Sequence, residues 1–270
     1  MGDVYAEVRE NRRKRRKYFL IFSVVIGVYL VALGASWLVF RSPFFRWKQF
    51  EITGNERVLT EDVMSLLRAR ALEGRWRPFQ ALLGLRSMLI WPDVLSEDDL
   101  AFLPTIKSIT LEKNYGSRTI IARVEERKLY GIWCTDGDEA YPARCMWFDS
   151  EGTLFERAVA AQGGIIMTVR DHSQPFLPLR TRILPEAFVL NMFSIFRVLA
   201  ASDLDRKEIT INDLALEEVK VATYNGPELY FSLRFPADNS LAAIEDLMSK
   251  PGFGKLEYLD FRVESRVYYR

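Results

Sequence analysis

From Tyr18 to Phe40 the chain runs 23 residues without a charge, most of them apolar, and seven Lys or Arg residues stand between Arg9 and Lys17 just before it. A helix of that length rises about 34 Å, enough to cross a hydrocarbon core of about 30 Å. Arg12, Arg13, Lys14, Arg15, Arg16 and Lys17 read as a topology signal. Only Arg41, Arg46 and Lys48 stand close on the other side, so the positive-inside rule keeps residues 1–17 as a cytoplasmic tail and exports the chain beyond the span at 18–40. Ala32 and Gly34 imitate the small residues of a signal cleavage site. Trp37-Leu38-Val39-Phe40 carries the apolar run past that point, however, and favours retention as an anchor. The expectation is a single-pass type II protein of the inner or plasma membrane, held in a lipid bilayer.

Beyond the span the periodicity changes. Alternation from Phe45 to Thr53 predicts a strand, turned by Gly54-Asn55. Thr60 then sits as an N-cap before Glu61 and Asp62, with Val63, Leu66 and Leu67 at helical spacing. Ser96 with Asp99 forms a capping-box pattern for a second short helix that Pro104 closes. Strands from Ile106 to Lys113 and from Arg118 to Glu125 flank the turn-forming Asn114-Tyr115-Gly116-Ser117. The order over 41–127 is β-α-α-β-β. Between the two helices, Leu72 to Trp91 is unusually apolar, with Trp76, Phe79, Leu82, Leu83, Leu85, Met88, Leu89, Ile90 and Trp91. It reads either as core packing or as a surface for the bilayer edge or a partner.

Over 128–270 hairpins dominate. Cys145 to Asp149 and Thr153 to Glu156 flank Ser150-Glu151-Gly152, and Phe188, Met192, Ile195 and Leu199 mark one apolar face of a helix after Pro185. Val219 and Val221 alternate before Asn225-Gly226, and Leu229, Phe231, Leu233 and Phe235 after it, with Pro227 awkward for a ladder. A helix from Ser240 to Met248 precedes two last strand runs, Leu256 to Val263 and Arg266 to Tyr269. The fold class expected is α+β: a single transmembrane helix, a small β-α-α-β-β domain and a larger β-rich domain with two helices.

Charge and candidate chemistry narrow the picture mainly by exclusion. Residues 1–17 carry a net +4 and the whole chain +1, so the exported part is mildly acidic and offers no general reason to bind nucleic acid. A lone histidine, His172, and two cysteines with ten residues between them do not make a metal site. Asp171-His172-Ser173 contains the residue types of a hydrolase triad, but consecutive side chains seldom meet at one centre. The carboxylates of Asp149 and Glu151 read as a solvated hairpin turn. No phosphate loop or nucleophile elbow appears. The chain therefore reads as a binding protein, not an enzyme, with no cofactor and no small-molecule substrate. Cys134 and Cys145 either bridge a hairpin mouth in an oxidising compartment or remain two buried thiols.

Several stretches, taken in order, resemble the bacterial cell-division family FtsQ, also called DivIB. Phe50-Glu51-Ile52-Thr53-Gly54-Asn55 before the Thr60 helix resembles the start of its membrane-proximal POTRA domain. Leu103-Pro104-Thr105-Ile106-Lys107-Ser108-Ile109 is similar to its helix-to-strand passage, and Val124-Glu125-Glu126-Arg127 with Trp133 to its domain junction. Phe148-Asp149-Ser150-Glu151-Gly152-Thr153-Leu154-Phe155 resembles the first hairpin of its β domain, and Lys255 to Val263 its closing strand. Gly116 and Lys128 stand where the family has prolines. The resemblance implies a non-enzymatic scaffold of the divisome at the division septum, with FtsB/FtsL-like bitopic proteins and other divisome components as partners. It implies partner contact at Phe261, Arg262, Val263 and Ser265, and at Val267, Tyr268 and Tyr269, by pairing along an open strand edge.

Overall fold

The computed structural model describes residues 2–73, 83–137, 142–159 and 166–270, without the side chains of 2–14, 39–41 and 142. The side chains of Arg12, Arg13 and Lys14, and residues Trp76, Phe79 and Leu82, lie outside that description. Helix α1 spans Gly2–Arg41, and within it Arg15–Leu38 is long and apolar enough to cross a membrane, with none of its length buried against protein. The rest is mixed α and β, with a larger β-rich region carrying several helices.

The chain forms two compact units, residues 1–99 with 108–125 and residues 100–107 with 126–270. A linear reading places one boundary at 127/128. Instead the 100–107 segment joins the second unit, where Thr105 accepts from the Arg127 amide (2.8 Å), Leu100 accepts from Arg180 (3.3 Å) and Lys107 pairs with Glu151 (2.7 Å).

In the first unit, a three-stranded sheet has the order β1 (Gln49–Thr53), β3 (Thr119–Glu126), β2 (Ile106–Asn114). β1 runs parallel to β3, and helix α2 (Thr60–Glu73) lies in the connection between them. Val63, Leu66, Leu67 and Ala71 of α2 are buried, as are Ile109, Ile120 and Ala122 of the sheet. Gly54 turns the chain out of β1 at φ 86°, where a Cβ would stand 2.1 Å from the Val124 carbonyl oxygen. Only glycine fits that approach.

Two expectations change here. The strand expected from Phe45 starts at Gln49, because Ser42 caps a 3-10 turn at Pro43–Phe45. The second helix is a single 3-10 turn, Asp99–Phe102. Its capping box forms, with Ser96 and Asp99 exchanging bonds of 2.9 and 3.3 Å, but Pro104 leaves too few residues for an α-helix. In the apolar 72–91 stretch, Leu83, Met88, Ile90 and Trp91 are core residues, whereas Leu72 and Leu85 are exposed.

The second unit is built on a nine-stranded sheet of order β12-β11-β10-β9-β8-β7-β4-β5-β6. The strands are β4 (Gly131–Gly137), β5 (Pro142–Phe148), β6 (Leu154–Ala158), β7 (Met167–Asp171), β8 (Arg206–Ile211), β9 (Glu218–Thr223), β10 (Glu228–Ser232), β11 (Tyr258–Phe261) and β12 (Tyr268–Tyr269). β7 is missing from the sequence reading and joins β4 and β8 in parallel. Cys134 faces Cys145 across β4 and β5, and the two form a disulfide. Pro227 costs no ladder bond because it falls in the loop between β9 and β10.

Helix α3 (Glu186–Ala201) buries more than one stripe: Val189, Phe193, Phe196 and Val198 join Met192, Ile195 and Leu199. A helix covering one face of a wide sheet needs that broader apolar surface. Phe196 stacks on Phe148 (5.8 Å), which meets Trp133 edge-on (6.2 Å), so the aromatic core sits under β4 and β5. Helix α4 (Ser240–Met248) adds Ile244 and Leu247.

Candidate partner-binding edge

Strands β9 to β11 alternate up to Phe231, after which Ser232 is also buried. Val219, Val221, Leu229, Phe231, Leu259 and Phe261 are buried, so the residues between them form an outer face. The register aligns Lys220, Tyr230, Asp260 and Tyr268 in one row across β9, β10, β11 and β12. β12 contributes only two paired residues to this sheet margin. A reverse turn delivers it: the Arg266 amide donates to the Val263 carbonyl (3.2 Å), with Ser265 in the left-handed region at φ 58°.

The expected contact residues do different jobs. Phe261 stacks on Phe231 at 5.3 Å and is 4 % exposed, so its side chain belongs to the core. Arg262 donates through Nε and Nη2 to both Asp260 oxygens (2.9 and 2.7 Å) and through Nη1 to Glu218 (2.7 Å), and its guanidinium lies over the Tyr230 ring. This fork ties β9, β10 and β11 together on the outer face. It holds the Asp260 carboxyl below its ordinary range and raises the Arg262 guanidinium. Alongside it, Lys220 and the Tyr230 hydroxyl both donate to Glu228 (2.7 Å each), which lowers the Glu228 carboxyl, chiefly through the Lys220 bond.

Val263, Tyr268 and Tyr269 are 45 %, 47 % and 57 % exposed, a run of large side chains on a sheet margin, and Ser265 is exposed between them. Val267 packs half-buried against the core. Between this turn and the start of α4, a groove of about 490 Å³ is lined by Pro236, Asn239, Ala243, Val263, Ser265 and Val267. Sequence reasoning misses Asp260, Glu218, Glu228, Tyr230 and Lys220 as the residues that hold the edge. Their outward facing is legible from the alternation, but their mutual contact depends on strand order.

Other candidate chemistry is dispersed. Asp171 is buried and accepts from Trp133 Nε1 (3.2 Å), the Ser173 amide (2.9 Å), the Ser173 hydroxyl and Gln174 (3.0 Å), while His172 pairs with Asp136. The histidine and serine therefore do not share a centre. Asp149 is not solvated, contrary to the expectation for the turn. It is 3 % exposed, pairs with Arg127 at 2.5 Å and accepts the Glu151 and Thr153 amides (2.9 Å each), fixing the hairpin turn. No protein-family model and no curated protein matches this sequence.

Proposed function

We propose that this chain is a non-enzymatic, single-pass scaffold of the bacterial divisome, with a cytoplasmic N-terminus and an exported body. It links early division proteins to the septal peptidoglycan synthesis machinery. On this reading it belongs with the FtsQ/DivIB proteins, the first exported unit is POTRA-like, and FtsB/FtsL-like partners bind the β12 margin.

The observation that carries the binding part is the margin itself. A strand of two paired residues leaves main-chain groups for an incoming strand, and Val263, Tyr268 and Tyr269 offer apolar area beside a groove. The division part rests on the ordered sequence resemblance. The anchor part rests on an exposed apolar helix behind a basic flank.

Deletion of residues 265–270 should abolish co-purification of a bitopic FtsB-like partner while the membrane level of the protein is maintained. Undiminished recovery would remove the edge from the proposal. A fluorescent fusion should gather at midcell, and depletion should give filaments; diffuse signal with normal cell length would overturn the division role. Mature protein beginning near Ala35 would show that the helix is a cleaved signal.

A further inference from the structure

The first unit carries a surface that the divisome reading does not use. Three segments meet there: residues 42–48 just after α1, residues 84–87, and the β2–β3 turn at 115–118. Backbone bonds stitch them together. The Trp47 amide donates to the Arg86 carbonyl (2.9 Å) and the Lys48 amide to the Arg118 carbonyl (2.7 Å), and Arg118 Nε donates to the Arg46 carbonyl (2.9 Å). Trp47 Nε1 donates to the Leu85 carbonyl at 2.9 Å.

Rings gather on this scaffold. Phe44 stacks on Tyr115 (5.9 Å, 15° between planes), Phe45 meets the same ring edge-on (6.1 Å), and the two phenylalanines touch at 5.3 Å. This is not core packing, because Phe44 is 52 % and Leu85 38 % exposed. The charge is one-sided: the three segments contain Arg46, Lys48, Arg86 and Arg118 and no carboxylate. Aromatic rings with interspersed cations suit the boundary of an anionic bilayer, where each ring has an apolar body and each cation meets a phosphate.

Chain continuity selects the occupant. Phe44 lies four residues beyond Phe40, the end of the apolar run, which confines it within about 14 Å of that end. We infer that this aromatic and basic collar docks on the anionic headgroups of the same bilayer that α1 crosses, seating the first exported unit on the membrane. The inference rests on the anchor reading of α1 and is independent of the division role.

The test uses the full chain in nanodiscs, with a nitroxide on Ser117→Cys while Cys134 and Cys145 remain bridged. With phosphatidylglycerol present, the label should show headgroup depth, being more accessible to oxygen than to a water-soluble nickel chelate. In pure phosphatidylcholine it should be solvated. The triple variant Arg46→Glu, Lys48→Glu, Arg86→Glu should lower the docked-to-free ratio by about five-fold or more per site in anionic lipid. A label equally solvated in both lipids, or docked equally in the triple variant, overturns the collar alone. Protection that requires a co-reconstituted bitopic partner also overturns it, making the surface a protein contact. Failure of the chain to incorporate at all overturns both the collar and the anchor.

Discussion

The two ends of the nine-stranded sheet are held by different means. At the β4-β5-β6 end a disulfide crosses a hairpin and Trp133, Phe148 and Phe196 pack beneath it. At the β10-β11-β12 end the last strand is two residues long, and an exposed guanidinium fork joins the strands on the outer face. One end is fixed by a covalent link and buried area, the other by charge-assisted bonds in contact with water. Elements that open locally come from the less stable part of a fold, and the gradient across this sheet puts β12 at that end.

The sharpest challenge to that contrast is Phe196→Ala. Loss of a buried ring from the aromatic core should cost about 3–5 kcal/mol in chemical denaturation. A loss below about 1 kcal/mol would mean that the fixed end does not depend on its core. Next comes the bridge: Cys134→Ser with Cys145→Ser should cost about 3 kcal/mol by the chain-entropy account of a loop this short. Amide exchange should accelerate in β4 and β5 and stay unchanged in β12; equal acceleration at both ends would erase the distinction.

Arg262→Ala probes the other end. Its side chain is 40 % exposed, so the global cost should stay under about 1 kcal/mol, while amides of β11 and β12 lose protection selectively. Arg262→Lys should not restore that protection, because an ammonium cannot make the bidentate fork. The smallest effect is acid fraying. Asp260 and Glu228 have carboxyls lowered by their cationic partners, so their contribution is complete above their ordinary pKa values and is lost as pH falls through the lower folded values. Exchange at β11 should therefore rise below about pH 4 while β4 and β5 stay protected. An acid response confined to β4 and β5 would reverse the assignment.

Legibility tracks the range of the interaction. The alternation of Val219, Val221, Leu229 and Phe231 and the spacing of α3 and α4 are local patterns, and the elements stand where the patterns put them, except that β10 ends at Ser232, before the Leu233 and Phe235 that continue its alternation. The Ser96 helix is only one turn because a cap specifies a start but not a length. Strand β7 has an ordinary composition and pairs with partners remote in sequence, so nothing near it announces a central position. The edge residues Val263, Ser265, Tyr268 and Tyr269 are reached by resemblance, whereas their support is not: Arg262 meets Glu218 across 44 residues. The collar escapes for the same reason, since the contact of Phe44 with Tyr115 joins a linker to a distant turn.

Strand β7 also sets the order in which the sheet can be completed. Its five residues lie between β4, which precedes it, and β8, which comes after α3, and both pairings are parallel. Antiparallel neighbours on either side, β4-β5-β6 and β8-β9-β10, can close as local hairpins. The two halves join only when β8, ending at Ile211, is formed and β7 is seated between them. β7 is thus the keystone of the second unit, and until it is in place β12 belongs to a sheet that ends at β8.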